Sequence, residues 1–319
     1  MDSHKEVIKT IVFESAEELF NELSPFGKYS FLLFDNYIFR GESTTKYKLL
    51  PTALREENNQ YLWDLLKPNI DKETFAKNTE YAQRFAEYQV LFDFFVISDR
   101  NGLRIPHNDE IRYNMSLPFG TNVHLLNIWL PKSFHELAAL AQHYGLPTRL
   151  LDWSLDPFVS LYFGAINALK NDLIEGDHLV MWVLDVAQLT SLNRPVKQIP
   201  LSIINPPYSG NENLKAQKGI LTLWEDTSVS KPGGEIQLLN QIDRTPLDEL
   251  LIKILSNNEE YQGNSYPMMF KLLLPTTQAP MLVSALKTIN YSAASLFPGF
   301  DGITKSIKEY SLLGPYFSK

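Results

Sequence analysis

Apolar residues recur along this chain with two different periods, and the changes of period mark its elements. Ser15 followed by Glu18 reads as a capping box, and Leu19, Phe20 and Leu23 give the helix behind it one buried face before Pro25 and Gly27. Residues 29–40 are rich in Phe, Leu, Ile and Tyr, which predicts a strand or hairpin that delivers Phe39-Arg40-Gly41 at its end. Residues 49–55 follow as an irregular segment or short helix. From about residue 73 to 98, Tyr81, Phe85, Tyr88, Phe92 and Phe95 return at three- and four-residue steps. That predicts a long amphipathic helix whose aromatic stripe belongs to the core. Residues 99–131 carry Pro106, Pro118, Gly120 and Pro131 and read as loop.

Ser133 and Glu136 form a second capping-box pattern, with Phe134, Leu137, Ala138, Ala141 and Tyr144 on one face of the predicted helix. Gly145 suits the left-handed residue that ends a helix, and Pro147 blocks its continuation. A short strand over 150–154 precedes Asp156-Pro157, an N-cap with proline at the first helical position. Residues 178–184 are almost wholly apolar and predict a buried strand, whereas 195–213 read as loop. Further strands are expected near 216–224 and 267–274. Helices are expected near 246–256, 280–289 and, last, to about Leu313. Strands and helices mix without regular alternation, so the expected class is α+β: one large domain, a mixed or antiparallel sheet with surrounding helices.

The composition of the 319 residues, 44% hydrophobic and 21% charged, is that of a globular protein. A net charge of −8 and a pI near 5.3 argue against broad binding to nucleic acid or an anionic membrane, though not against a local basic pocket. With no cysteine there is no disulfide, thiolate metal site or cysteine nucleophile. The six histidines lack metal-ligand spacing, so no metal is expected. The first residues lack the basic-then-apolar order of a signal peptide and no apolar run suits a membrane helix. A cytoplasmic location is therefore expected.

Residues 142–153, Gln-His-Tyr-Gly-Leu-Pro-Thr-Arg-Leu-Leu-Asp-Trp, crowd many functional groups into one turn between elements. His143 and Asp152 could serve as an acid–base pair, with Arg149 as a clamp for an anion. The structural alternative is that Arg149 and Asp152 form a buried ion pair while His143 bonds a backbone carbonyl. This run, together with Phe39-Arg40-Gly41, residues 49–55, 216–219 and 296–302, resembles the signature blocks of the FRG domain family. Those blocks extend from about residue 30 to 305, so the resemblance implies one FRG-type domain over residues 1–319.

A further resemblance is to ADP-ribosyltransferases. Ile38-Phe39-Arg40-Gly41 is similar to their first strand, and residues 151–154 with the following helix are similar to their second element. Gln217-Lys218-Gly219 stands where their third strand ends in a glutamate. The resemblance implies an ADP-ribosyltransferase-like fold, with Arg40 at the pyrophosphate or ribose of NAD, Ser154 positioning the cofactor and Gln217 at the substrate. Since Gly219 replaces the usual Glu, Asp152 or Glu235 would have to supply the carboxylate.

The expected pocket therefore has Asp152, His143 and Gln217 as catalytic candidates. Arg40, Gly41, Tyr144, Thr148, Arg149, Trp153 and Ser154 are its ligand-binding candidates. Its ligand would be a nucleotide-like or anionic small molecule, with NAD the leading cofactor and ADP-ribosyl transfer or hydrolysis the reaction. The competing class is a non-catalytic interaction module in which the motif residues lock the fold. No protein partner can be named from the sequence.

Overall fold

A computed structural model describes residues 6–68, 79–106, 109–116, 129–171, 173–194, 198–209, 211–225, 241–262 and 266–317. Seven strands form one sheet: β1 (Ile8–Val12), β2 (Tyr37–Glu42), β3 (Leu150–Ser154), β4 (His178–Asp185), β5 (Leu201–Ile204), β6 (Gly219–Trp224) and β7 (Met269–Pro275). Their order is β1-β7-β4-β2-β3-β6-β5. The β1–β7 pair is parallel and the other five pairs are antiparallel, so the sheet is mixed and the class is α+β. β4, which is apolar from Leu179 to Leu184, takes a central place, as a strand buried on both faces must.

The helices among the described residues are α1 (Ala16–Glu22), α2 (Asn59–Asp64), α3 (Glu80–Arg100), α4 (Asp109–Ser116), α5 (His135–His143), α6 (Pro157–Lys170) and α7 (Val186–Leu192). They continue with α8 (Glu212–Ala216), α9 (Leu247–Leu255), α10 (Glu259–Gln262), α11 (Ala279–Thr288), α12 (Ala293–Leu296) and α13 (Phe300–Phe317). Strand alternation sorts their partners. Ile38, Trp153, Val180, Trp182 and Ile220 pack on one sheet face with α7, α9 and Tyr261 of α10. On the opposite face, Phe39, Met181 and Val183 pack with α1, α6 and α11. Leu150, Leu221 and Leu223 lie on that second face too, but pack with α2, α3 and α5. Two separate helical layers thus cover this face, and they part where β2 meets β3.

Local chemistry explains most element boundaries. Ser15 Oγ accepts from Glu18 N at 3.1 Å, and Glu18 Oε2 accepts from Glu14 N at 2.8 Å, so the first box forms. Asp156 caps α6 by accepting from Phe158 N at 2.9 Å, with Pro157 in the first turn. The second box does not form. A 3₁₀ turn over Lys132–Phe134 leads into α5, and Ser133 Oγ is buried without a partner. The segment at 29–40 is a strand only in its second half, because Ser30–Leu33 is a 3₁₀ turn. The expected loops at 99–131 and 195–213 contain α4 and β5. Residues 69–78, where the long helix was expected to begin, lie outside the described residues.

The exit of β2 is pinned to β4. Asp177 accepts hydrogen bonds from Thr44 Oγ1, from Thr45 Oγ1 at 2.8 Å, and from the amides of Thr45 at 3.3 Å and His178 at 2.8 Å. Burial alone would raise the carboxyl pKa, but these donors outweigh it and hold it down at about 2. Among the described residues no helix is long and apolar enough to cross a membrane.

Candidate functional site

A cleft of about 330 Å³ opens at the parting of the two helical layers. Its floor is Phe39, Gly41, Asp152, Ser154, Gly219 and Leu221, from three adjacent strands. The register places them together, since Phe39 lies opposite Ser154, and Ser154 opposite Gly219. Ser160, Phe163 and Asn167 of α6 make one wall, and Leu214 with Gln217 makes another.

Each floor position has a local reason. A Cβ on Gly41 would sit 1.8 Å from the carbonyl oxygen of Ser160, so its glycine lets α6 lie directly on β2. Gly41 is thus needed by a neighbouring backbone. β2 and β3 share only the Phe39–Ser154 bridge, and Arg40 spans the strands next to it. Its Nη1 donates to the Asp152 carbonyl at 2.8 Å and its Nε to Glu42 Oε1 at 2.7 Å. Both side chains are largely buried, at 15% and 11% exposure.

Asp152 is exposed, and Gln142 Nε2 donates to its Oδ1 at 2.6 Å. Gln142 in turn accepts from Thr148 Oγ1, which also accepts from Leu150 N at 3.1 Å. The turn before β3 therefore aims the Asp152 carboxylate. Across the cleft, Ser154 Oγ donates to the Gln217 carbonyl at 2.7 Å and accepts from Asp156 N at 3.0 Å. Gln217 Nε2 donates to the Leu296 carbonyl at 3.2 Å, which links the 216–219 and 296–302 segments. Lys218, with φ of +47°, turns to place Nζ 2.8 Å from Asp156 Oδ2. Tyr291 donates to the same oxygen at 2.8 Å; burial, then this bond, push its pKa upward.

Of the sequence-predicted residues, Arg40, Gly41, Asp152, Trp153, Ser154 and Gln217 line this one cleft. Trp153 turns its indole to the opposite face, where Nε1 donates to Thr222 Oγ1 at 2.9 Å. The others lie elsewhere. His143 and Tyr144 are exposed at the end of α5, with their rings 5.1 Å apart. Partial desolvation holds the His143 pKa below its ordinary value, with Asp152 pulling the other way. Thr148 is buried.

Arg149 is also buried, and its partners are not Asp152. Its Nε donates to both Glu87 carboxylate oxygens, at 3.0 and 2.9 Å, and its Nη2 lies 2.6 Å from Glu80 Oε1. That last contact is an ion contact off the N–H direction, not a formed hydrogen bond. Arg84 joins through Glu80 at 2.8 Å, while Gln83 at 2.8 Å and the Trp129 indole complete Glu87.

Sequence reasoning passed over Glu42, Ser160 and Asn167 as lining groups. Glu42 was within reach, being two residues beyond Arg40 on the same side of a strand; the other two needed the helix packing. Gly219 begins β6 at the cleft floor, and a Cβ there would come within 2.4 Å of Leu214 Cδ1. A glutamate at this position would need Leu214 to move. Glu235 lies outside the described residues. Chemically, the cleft face offers the Asp152 carboxylate, two hydroxyls and two amides beside the apolar surfaces of Val159, Phe163, Leu214 and Leu221, whereas strand alternation sets the side chains of Arg40 and Glu42, opposite Trp182 and Val180, toward the other face at the cleft border.

Among known families, the model of the FRG domain matches residues 35–173, which is less than half of the chain. The match runs from the start of β2 through α6 and ends before the 216–219 segment. No curated protein and no solved structure matches the chain.

Proposed function

We propose, from the premise that the chain carries an FRG domain over residues 35–173, that its cleft binds the nucleoside part of a nucleotide-like ligand. The observation that supports this reading is the meeting of Asp152, Ser154 and Gln217, from segments far apart in sequence, on one cleft of about 330 Å³ that Arg40 borders. That volume lies at the lower end for ligand sites, about 300–1,000 Å³, and suits one ring with its sugar better than a whole dinucleotide. The charge balance points the same way. Asp152 presents its carboxylate on the cleft face, while the Arg40 guanidinium, which the register sets opposite Trp182 on the other face, is already committed to Glu42 and a carbonyl. Such a lining favours ribose hydroxyls or a cationic ring over a pyrophosphate.

NAD, with its positively charged nicotinamide, meets these demands. Its reaction here would be hydrolysis or ADP-ribosyl transfer. The bond between ribose C1′ and the nicotinamide nitrogen breaks, and the electron pair leaves with the ring. Water or an acceptor hydroxyl then bonds C1′ and releases its proton. Asp152, exposed and aimed by Gln142, is the carboxylate for the positive charge that develops at C1′. The fold-locking alternative is favoured residue by residue for Thr148, Arg149 and Trp153, whose polar atoms are engaged within the protein.

A thermal-shift series with NAD, nicotinamide riboside, ADP-ribose and adenosine tests the reading. A ligand at 100 times its Kd stabilises the folded state by about 2.7 kcal/mol, a shift of several degrees. The expectation is a shift with nicotinamide riboside and NAD that Asp152→Asn removes. No shift with any of the four rejects the cleft as a nucleoside site.

A further inference from the structure

A second cleft, of about 300 Å³, has the opposite electrostatic character. Lys46, Lys48, Arg55 and Arg244 line it, together with Tyr47, Glu56 and Glu57. Several cations of this chain, Lys67, Arg84, Arg149, Lys218 and Lys305 among them, have a carboxylate within 4 Å, and others such as Lys9 and Lys253 have none among the described residues; this cleft differs in gathering four cations into one lining. None of the four cations in this cleft forms such a pair among the described residues, even with Glu56 and Glu57 in the same lining. Four like charges in one lining, only half balanced by Glu56 and Glu57 and paired directly with neither, repel one another, a cost that a bound anion would offset.

The two arginines are also pre-oriented. Arg55 Nε donates to the Leu50 carbonyl at 3.1 Å and Arg244 Nη1 to the Leu54 carbonyl, so each guanidinium is fixed by one N–H and keeps others for a ligand. Lys46 and Lys48 are exposed and reach in as mobile point charges. Tyr47, half exposed between them, offers a ring face.

We propose that this cleft is a receptor for a phosphorylated small ligand, with the phosphate chain held by Lys46, Lys48, Arg55 and Arg244 and a planar base resting on Tyr47. A nucleoside triphosphate has this chemistry, and inorganic tripolyphosphate shares its anionic half. The site stands apart from the central cleft, shares no lining residue with it, and does not depend on the reading given there.

Calorimetric titration of the full chain at low salt, with tripolyphosphate, ATP and adenosine as probes, is the test. Tripolyphosphate and ATP are expected to bind and to compete, with affinity falling as salt rises. Lys46→Gln with Lys48→Gln, both exposed positions that leave the fold intact, should weaken both ligands at least tenfold. Tyr47→Ala should weaken ATP several-fold and leave tripolyphosphate unchanged. Asp152→Asn, in the other cleft, should alter neither. The proposal is overturned if tripolyphosphate does not bind, if the double lysine variant binds as tightly as the parent, or if adenosine alone binds as well as ATP.

Discussion

Replacing Arg149 with Met removes one guanidinium from a buried group of two cations and two carboxylates. In the folded chain Arg149 is 9% exposed, and Glu80 and Glu87 are each 3% exposed. The variant leaves both carboxylates with Arg84 alone, and Glu87 keeps only the neutral donors Gln83 and Trp129. Breaking a buried pair by removing one partner costs about 3–5 kcal/mol, because the remaining charge is stranded away from water. A typical stability is about 5–15 kcal/mol, so a large part of it would go. The melting temperature should fall by roughly 4–8 °C. Urea unfolding followed by circular dichroism reads the loss, and Glu87→Gln in the same chain should recover part of it because the two residues are coupled. Affinity for a cleft ligand, measured well below the melting point, should change less than threefold. A stability loss below about 1 kcal/mol together with abolished ligand binding would refute the anchoring role and return Arg149 to the ligand.

Three further outcomes follow from the geometry. Gly41→Ala should destabilise by about 1–3 kcal/mol or more, since the new methyl meets the Ser160 carbonyl of a packed helix; chemical denaturation reads this, and a neutral result would mean α6 does not press on β2. Asp177 has a folded pKa below its unfolded one, so its contribution is complete above about pH 4 and is lost as pH falls toward 2. Asp177→Asn should therefore cost about 1–2 kcal/mol at neutral pH and flatten the acid limb of the stability profile between pH 4 and 2, whereas an unchanged limb counts against those bonds. Asp152 raises the His143 pKa against desolvation, so Asp152→Asn should move the His143 NMR titration lower still, and an upward move would contradict the placement.

Local signals were the legible ones. The cap at Asp156, the turn after α5 at Gly145 and the apolar run of β4 each depend on neighbours within a few residues, and each lies where the pattern puts it. The aromatic stripe of α3 is core, with Phe85, Tyr88 and Phe95 buried. The same helix also buries Glu80, Arg84 and Glu87, which an amphipathic pattern assigns to solvent; their partner Arg149 comes from 62 residues away through Glu87. β5 went unseen because four residues flanked by loop give too short a period. β1, at the edge of the sheet, buries only Ile11 of its five residues. The order of the motif blocks pointed to the strands that border the cleft, but not to the face each side chain takes: alternation sets Arg40 opposite Trp182, away from the face of Asp152 and Ser154. Which of the crowded residues 142–153 face the cleft was not legible either, because strand alternation and the approach of α3 decide it. That alternation turns Trp153 away, and α3 takes Arg149.

The central claim is that the cleft over β2, β3 and β6 holds a nucleoside. Its most direct measurement is NMR chemical-shift mapping of the chain titrated with nicotinamide riboside, using Lys46→Gln with Lys48→Gln as background to silence the basic cleft. The account predicts saturable shifts at the amides of Gly41, Asp152, Ser154 and Gly219 that disappear with Asp152→Asn. Shifts confined to other surfaces, or equal shifts in the Asp152→Asn chain, would contradict it.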